Sequence, residues 1–358
     1  MREHRLDGSA SSALSHLMLV GLAAVIEESG EHEAVFAWSS ERMPVPVLWA
    51  ELAADQIAAI VRAHAMRHTM AASWVQAEVA MGELRGRRLF APRATAPKAP
   101  AASSADSVTT WKECWRSFAR ERQDLLDEPG DAVTLLDLQM LGGIGEPAWW
   151  RCTGKDNQPD IGASRWEMKT RNRGEDFVKH RLGPLAQSLA ARNEREVWSG
   201  LSGQTLMDEV GGAPDSRTPT GLTLPRPTDN AQAWCALWGM SALPTIHTAS
   251  TRVARGHSQS PGTFPRNRVH PERAALPVFT SATTVSHYRA ICVSEAFDHF
   301  VAEPPPDVSG SGPSTARMSA AAWLKEQGVK AVMHFGVQKV GSTSAPERQL
   351  LAGRAEVL

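Results

Sequence analysis

Residues 13–28, ALSHLMLVGLAAVIEE, are apolar on nearly every side at helical spacing until the closing pair of glutamates. A surface helix shows one apolar stripe, so a helix apolar all round must be enclosed by other elements. The uninterrupted run is about a dozen residues, whereas about 20 are needed to cross a bilayer. MREHR before it gives a basic start resembling a secretion signal, but Asp7 and the lack of a cleavage site argue against one. The expectation is a cytoplasmic protein, without a membrane span, folded around this helix.

The 358 residues suffice to build that enclosure, and 42% apolar with 22% charged residues is the composition of a soluble folded chain. AVFAW and VPVLW, separated by SSERMP, read as a strand pair, and AELAADQIAAIVRAHAMRH as a helix with Leu52, Ile57, Ile60 and Val61 on one side. WKECWRSFARERQDLLDE reads as a helix placing Trp111, Trp115 and Phe118 together. EDFVKHRLGPLAQSLAARN is a further helix, broken or kinked at Gly183 and Pro184. Asp229 caps NAQAWCALWGMSAL, whose apolar stripe carries Trp234, Leu237 and Trp238. LPVFT and KAVMHFGVQKV read as strands, and TVSHYRAICVSEAFDHF and AAAWLKEQ as helices. The fold class is therefore α+β, helix-rich with small mixed β-sheets and two subdomains. The expected divisions are an N-terminal α+β domain (1–90), an Ala/Pro-rich linker or mobile loop (91–108), a central basic, Trp-rich domain (109–302), a linker (303–316) and a C-terminal helix–strand segment (317–358).

A net charge of −1 excludes a uniformly basic nucleic-acid coat and leaves local patches to decide. Cys114, Cys152, Cys235 and Cys292 form no CxxC pair, which reads as scattered thiols in a reducing compartment.

Two chemistries compete for PDIGASRWEMKTRNRG at 159–174. Asp160, Glu167 and Lys169 follow the order of a PD…ExK nuclease, in which carboxylates hold Mg²⁺ and a lysine positions water, and Glu146 offers another carboxylate. SRWEMKT reads as a strand alternating Trp166 and Met168 with Arg165, Glu167 and Lys169, so the charges share one face. The same stretch, with Arg165, Lys169, Arg171 and Arg173 followed by Lys179 and Arg181, is equally a grip on phosphates. The bland alternative is a solvated face on which Glu167 pairs with a neighbouring arginine. Arg252, Arg255, Arg266, Arg268 and Arg273 form a second basic group, and Trp149, Trp150 and Trp166 offer flat surfaces for stacking or wedging, with at most one of them expected to reach DNA. His257, Asn267 and His270 echo an HNH nuclease without its spacing, and Ser199 and Ser202 lack a nucleophile elbow. His64 and His68 stand four apart on a helix, with no acidic partner evident nearby in sequence. Apart from the Mg²⁺ alternative, no cofactor or metal is expected.

LSHLMLVGLAAVIEESG and DNAQAWCALWGMSALP are small-residue apolar helices ending in a Gly or Pro break. The pair resembles the recurring helices of large-subunit proteins of type I CRISPR surveillance complexes (Cascade), particularly the smaller forms of the subtype formerly called I-U. WWRCTGKDNQPDIGASRWEMKTRNRG is similar to their aromatic-then-basic central segment, and the likeness covers about a third of the chain. The resemblance implies a noncatalytic subunit of an antiviral ribonucleoprotein that works with guide RNA, target DNA, other complex subunits and a helicase-nuclease. It also implies roles in flanking-motif recognition, duplex opening and nuclease recruitment, with Lys169, Arg171 and Arg173 on nucleic acid. The Mg²⁺-dependent nuclease and a protein-interaction subunit that touches no nucleic acid stand beside it.

Overall fold

The structure, a computed structural model, describes residues 1–30, 32–80, 85–93, 105–128, 133–147, 152–153, 156–157, 162–168, 177–211, 220–246, 258–266, 268, 270–303, 312–340 and 347–358. Helix α1 (Ala13–Glu28) is the axis of the molecule, with every residue from Ala13 to Ile26 buried. Its principal neighbour is α7 (Asn230–Trp238), which is buried at all positions and runs on as a 3₁₀ turn, Gly239–Ala242. The two helices touch backbone to backbone. A Cβ on Gly21 would lie 1.9 Å from the Cys235 carbonyl oxygen, and one on Gly239 would lie 2.2 Å from that of Leu17. Helix α4 (Leu135–Ile144) approaches the 3₁₀ turn in the same way, a Cβ on Gly143 falling 2.3 Å from the Met240 oxygen.

Around this centre lie α2 (Ala54–Arg67), packed on α5 (Gly183–Ala191) and α6 (Glu194–Leu201), and α3 (Ala105–Leu126). The kink expected before α5 is a π turn, Val178–Leu182, in which the Gly183 N–H bonds back to the Val178 carbonyl. Pro184 has no N–H for the His180 carbonyl, and the wider turn accommodates that loss.

All strand pairs among the described residues are antiparallel. The first sheet runs β1 (Arg2–Arg5), β3 (Pro46–Ala50), β2 (Ala34–Trp38), with β1 joining the expected pair. In the second, β8 (Val329–Val340) is flanked on one side by β7 (Arg273–Phe279) and β6 (Thr263–Phe264), and on the other by β9 (Glu347–Leu350) and β10 (Arg354–Val357). A short ladder joins β4 (Cys152–Thr153) and β5 (Asp156–Asn157). TVSHYRAICVSEAFDHF forms two helices, not one: α8 (Val285–Val293) and α9 (Glu295–Ala302). Ser294 divides them because its extended backbone and its hydroxyl, which accepts from the Phe297 N–H, start a new helix. Helix α10 (Thr315–Glu326) packs on α9. Most of the two expected linkers, 94–104 and 304–311, lies outside the described residues. The stretches on either side of them share one buried cluster that runs from Leu6 to Leu350.

His16 lies inside α1, its ring 4.5 Å from that of Trp38 and its Nε2–H donating to the Ala10 carbonyl at 2.7 Å. Burial pushes its pKa down to about 4, against the weaker opposing pull of that hydrogen bond.

Gly21→Ala is expected to lower stability by about 3 kcal/mol through backbone collision. Gly142→Ala on the exposed side of α4, where a Cβ meets nothing within 4 Å, should raise it by about 0.5–1 kcal/mol. Urea denaturation checks both. Since the folded pKa of His16 lies below its unfolded value of 6.5, its contribution is complete above pH 6.5 and is withdrawn as pH falls toward 4. That loss amounts to about 3 kcal/mol, and His16→Gln should remove it from the pH profile of unfolding.

Candidate functional site

The nuclease-like stretch is placed by the end of α4. Gly145, at φ +80°, closes that helix in a conformation that favours glycine, and a Cβ there would sit 2.2 Å from the Gly162 oxygen. The chain can thus pair with 162–164: the Glu146 N–H donates to the Gly162 carbonyl (3.2 Å) and the Ser164 N–H to that of Ile144 (2.9 Å). Residues 165–168 form no strand, Arg165 and Trp166 making a turn. The Arg165 N–H donates to Ser260 Oγ at 2.9 Å, and the Trp166 indole N–H to the Pro261 carbonyl at 2.8 Å.

This corrects the expected alternation of a solvated and a buried face. Every residue from Gly162 to Met168 is buried, with Arg165 3% exposed and Glu167 2%. Trp166, at 1%, is a core residue and no wedge. The Glu167 carboxylate accepts from Arg93 Nε at 2.7 Å and has Arg181 Nη2 at 3.9 Å. Arg348 donates to the Glu167 carbonyl at 3.2 Å and also meets His270. Arg165 reaches back to the carbonyls of Ala163 (3.0 Å) and Ser258 (3.1 Å). Three guanidinium groups from separate parts of the chain, those of Arg93, Arg181 and Arg348, therefore join that of Arg165 at one turn. Arg165 and Arg181 are inside the protein, and the expected surface grip does not include them. Burial lowers the Arg181 pKa to about 10, partly opposed by the charge of Glu167.

Of the remaining expected site residues, Lys179 is exposed, its Nζ donating to the Gly86 carbonyl at 3.3 Å. Arg266 and Arg273 stand over the Phe264 ring, at 5.5 and 4.8 Å, beside an open cleft of about 540 Å³. Arg266 pairs with Asp298, and exposed Arg268 pairs with Glu272. Asp160, Lys169, Arg171, Arg173, Arg252, Arg255, Trp149 and Trp150, with His257 and Asn267, lie outside the described residues. Glu167 is the one member of the PD…ExK triplet that is described, and its carboxylate is engaged by arginine instead of facing an open metal position.

The histidine pair has acidic partners that are distant in sequence. The Trp234 indole N–H donates to His64 Nδ1 at 3.2 Å, and His64 Nε2 lies 3.1 Å from Glu28. Arg67 bridges Glu28 (2.7 Å) and Asp137 (2.6 Å), and it donates to His68 Nε2 at 3.2 Å. His68 therefore donates through Nδ1 to Ser73 Oγ at 2.9 Å. Asp137 also accepts from the Trp74 indole at 2.8 Å. Burial, reinforced by His64 and Arg67, drives the His68 pKa well below its usual value and keeps the ring neutral. Burial alone would raise the Glu28 carboxyl, but His64, Arg67 and Thr134 outweigh it and hold the group below the usual range. Each acid is met by Arg67 and by side-chain donors of its neighbours, so the network ties α1, α2 and α4 together. Acids at the end of or within apolar runs, Glu28 after AAVIE and Asp137 within LLDLQML, were the available signal. Arg93 and Arg348 had none.

Compared with protein-family models, curated proteins and solved structures, the chain finds no match.

Glu167→Ala should cost about 3–5 kcal/mol by leaving Arg93 and Arg181 buried without their carboxylate. Replacing Arg93, Glu167 and Arg181 together by Met should recover most of that loss in urea denaturation. An unchanged midpoint for Glu167→Ala would show that the pair contributes nothing.

Proposed function

We propose that the chain is a noncatalytic nucleic-acid-binding subunit of an RNA-guided, type I-like DNA surveillance complex, in which a basic segment held on a rigid base grips phosphates. The observation that carries this reading is the convergence of Arg93, Arg165, Arg181 and Arg348 on the turn at 163–168. Burying ions costs several kcal/mol each even after relaxation, so such a cluster is an expensive way to make a turn. It suits a mount whose position matters, because groups that bind a ligand work best when a second layer of residues holds them in place. The segment leaving this mount is KTRNRG, with Lys169, Arg171 and Arg173.

The wedge that would help open a duplex falls to Trp149 or Trp150, since Trp166 is committed to the core. The proposed partners are guide RNA and target DNA, the other subunits of the complex and a helicase-nuclease, in the cytoplasm. No helix among the described residues is long and apolar enough to cross a membrane.

Replacing Lys169, Arg171 and Arg173 together by Ala should weaken binding of the purified chain to duplex and single-stranded oligonucleotides. It should also flatten the salt dependence by about 0.9 log unit per lost duplex contact, or about 0.7 per lost single-strand contact. An unaltered slope would remove this segment from the binding surface. Asp160→Asn separates binding from cleavage better than a change at Glu167, which would disturb the mount. Mg²⁺-dependent cutting by the wild type that disappears in Asp160→Asn would replace this reading with the nuclease.

A further inference from the structure

A cavity of about 360 Å³ lies where three helices end, and the nucleic-acid role proposed above makes no use of it. The last turn of α1 brings Glu27 and Glu28 to it, the first two turns of α4 bring Thr134 and Gln139, and the start of α8 brings Ser286 and Arg289. Leu136 and Val285 add an apolar wall. Glu28 is already held by Arg67, the Thr134 hydroxyl and His64, which leaves Glu27 as the carboxylate open to the cavity. Glu27 is partly buried and pairs with no cation among the described residues. Burial, reinforced by the like charge of Glu33, pushes its pKa up to about 7 against the weaker pull of the Val285 N–H. A carboxylate withdrawn from water without a counter-charge is costly, and carboxyls displaced in this way collect at functional clefts. Arg289, in the same cavity, likewise makes no ion pair or hydrogen bond to a described residue. Val285 and Arg289 stand one helical turn apart in α8, so the N–H beside Glu27 and the root of the Arg289 side chain are separated by about 6 Å along one face. Two opposite charges thus line one cavity without neutralising each other.

We infer that this cavity receives a small zwitterion, with Glu27 taking its ammonium group and Arg289 its carboxylate. A guanidinium fork matches the two oxygens of a carboxylate, an ionised carboxylate accepts from ammonium N–H groups, and a single ligand offsets both charges at once. Gln139 and Ser286 supply neutral polar contacts and the apolar wall covers the carbon chain between the two ends, the usual division of labour in a small-molecule site. The spacing along α8 selects a ligand whose charges lie further apart than those of an α-amino acid. Two sources share that chemistry, an ω-amino acid and a dipeptide.

The test is isothermal titration calorimetry of the full chain with ε-aminocaproate and with dialanine. The wild type should bind at least one of them, and the tighter of the two identifies the source. Glycine, which is too short, and hexylamine and hexanoate, which carry one charge each, should bind at least about tenfold more weakly. Glu27→Gln and Arg289→Gln should each weaken zwitterion binding at least about tenfold, the loss expected for a charge-assisted hydrogen bond. Thermal melting without ligand checks that the variants fold; where one does not, the other variant and the single-charge ligands decide. Binding that a folded variant retains in full overturns the inference. So does equal affinity for glycine, hexylamine or hexanoate, or a wild type that binds neither ε-aminocaproate nor dialanine.

Discussion

The contact of α1 with α7 through Gly21 and Gly239 sets the position of nearly everything else. With no side chain between them, the two backbones approach within van der Waals distance, so neither helix can turn or slide without collision. Gly143 then rests on the Met240 carbonyl at the end of α7, which fixes α4. Gly145 ends α4 and pairs with 162–164, and that pairing places the turn on which the arginines converge. Loss of shape at the first glycine therefore propagates along a defined route to the candidate site, through packed backbone that has little freedom to adjust.

Several buried ionic hubs brace the fold. Arg67 joins Glu28 and Asp137, Arg192 joins Asp229 and Glu209, and Arg93 with Arg181 encloses Glu167. In the first two hubs each carboxylate is also met by backbone or side-chain donors, such as the Thr134 hydroxyl at Glu28 and the Met207 N–H at Asp229. These resemble internal struts, in which paired charge selects one arrangement of helices over others at some cost in stability. The third hub differs because one guanidinium, that of Arg181, donates no hydrogen bond to any described residue.

How much of this could be read from residues alone depended on range. Helix α1 was legible because an apolar surface on every side admits only burial, and Asp229 was legible because a cap is local chemistry: its side chain accepts from the Ala231 N–H. Ser294 offered the same local signal and was passed over inside a longer apolar pattern. The alternation in SRWEMKT misled because four or five residues of period two also fit a turn whose polar groups are satisfied from elsewhere. Ser260, Arg93 and Arg348 supply those groups from distant positions. A buried arginine looks like an exposed one in sequence, so Arg181 read as part of a surface patch. Strands β9 and β10 were missed because polar and apolar residues do not alternate cleanly along RQLLAGRAEV.

Between β9 and β10 the pairing with β8 slips. Along β9, Leu350 lies opposite Val337, and along β10, Arg354 lies opposite His334, so three residues on one side face two on the other. This bulge of one residue reverses the alternation of side chains. Arg348 is carried to the face that meets Glu167, and Glu356 to the opposite face, where it binds Arg317 and His334. The segment 351–353 thus behaves as a phase switch in the reading frame of the sheet. Related chains should tolerate length changes there in steps of two residues, because a step of one would send Arg348 and Glu356 to the same side and leave one of the two clusters without its partner.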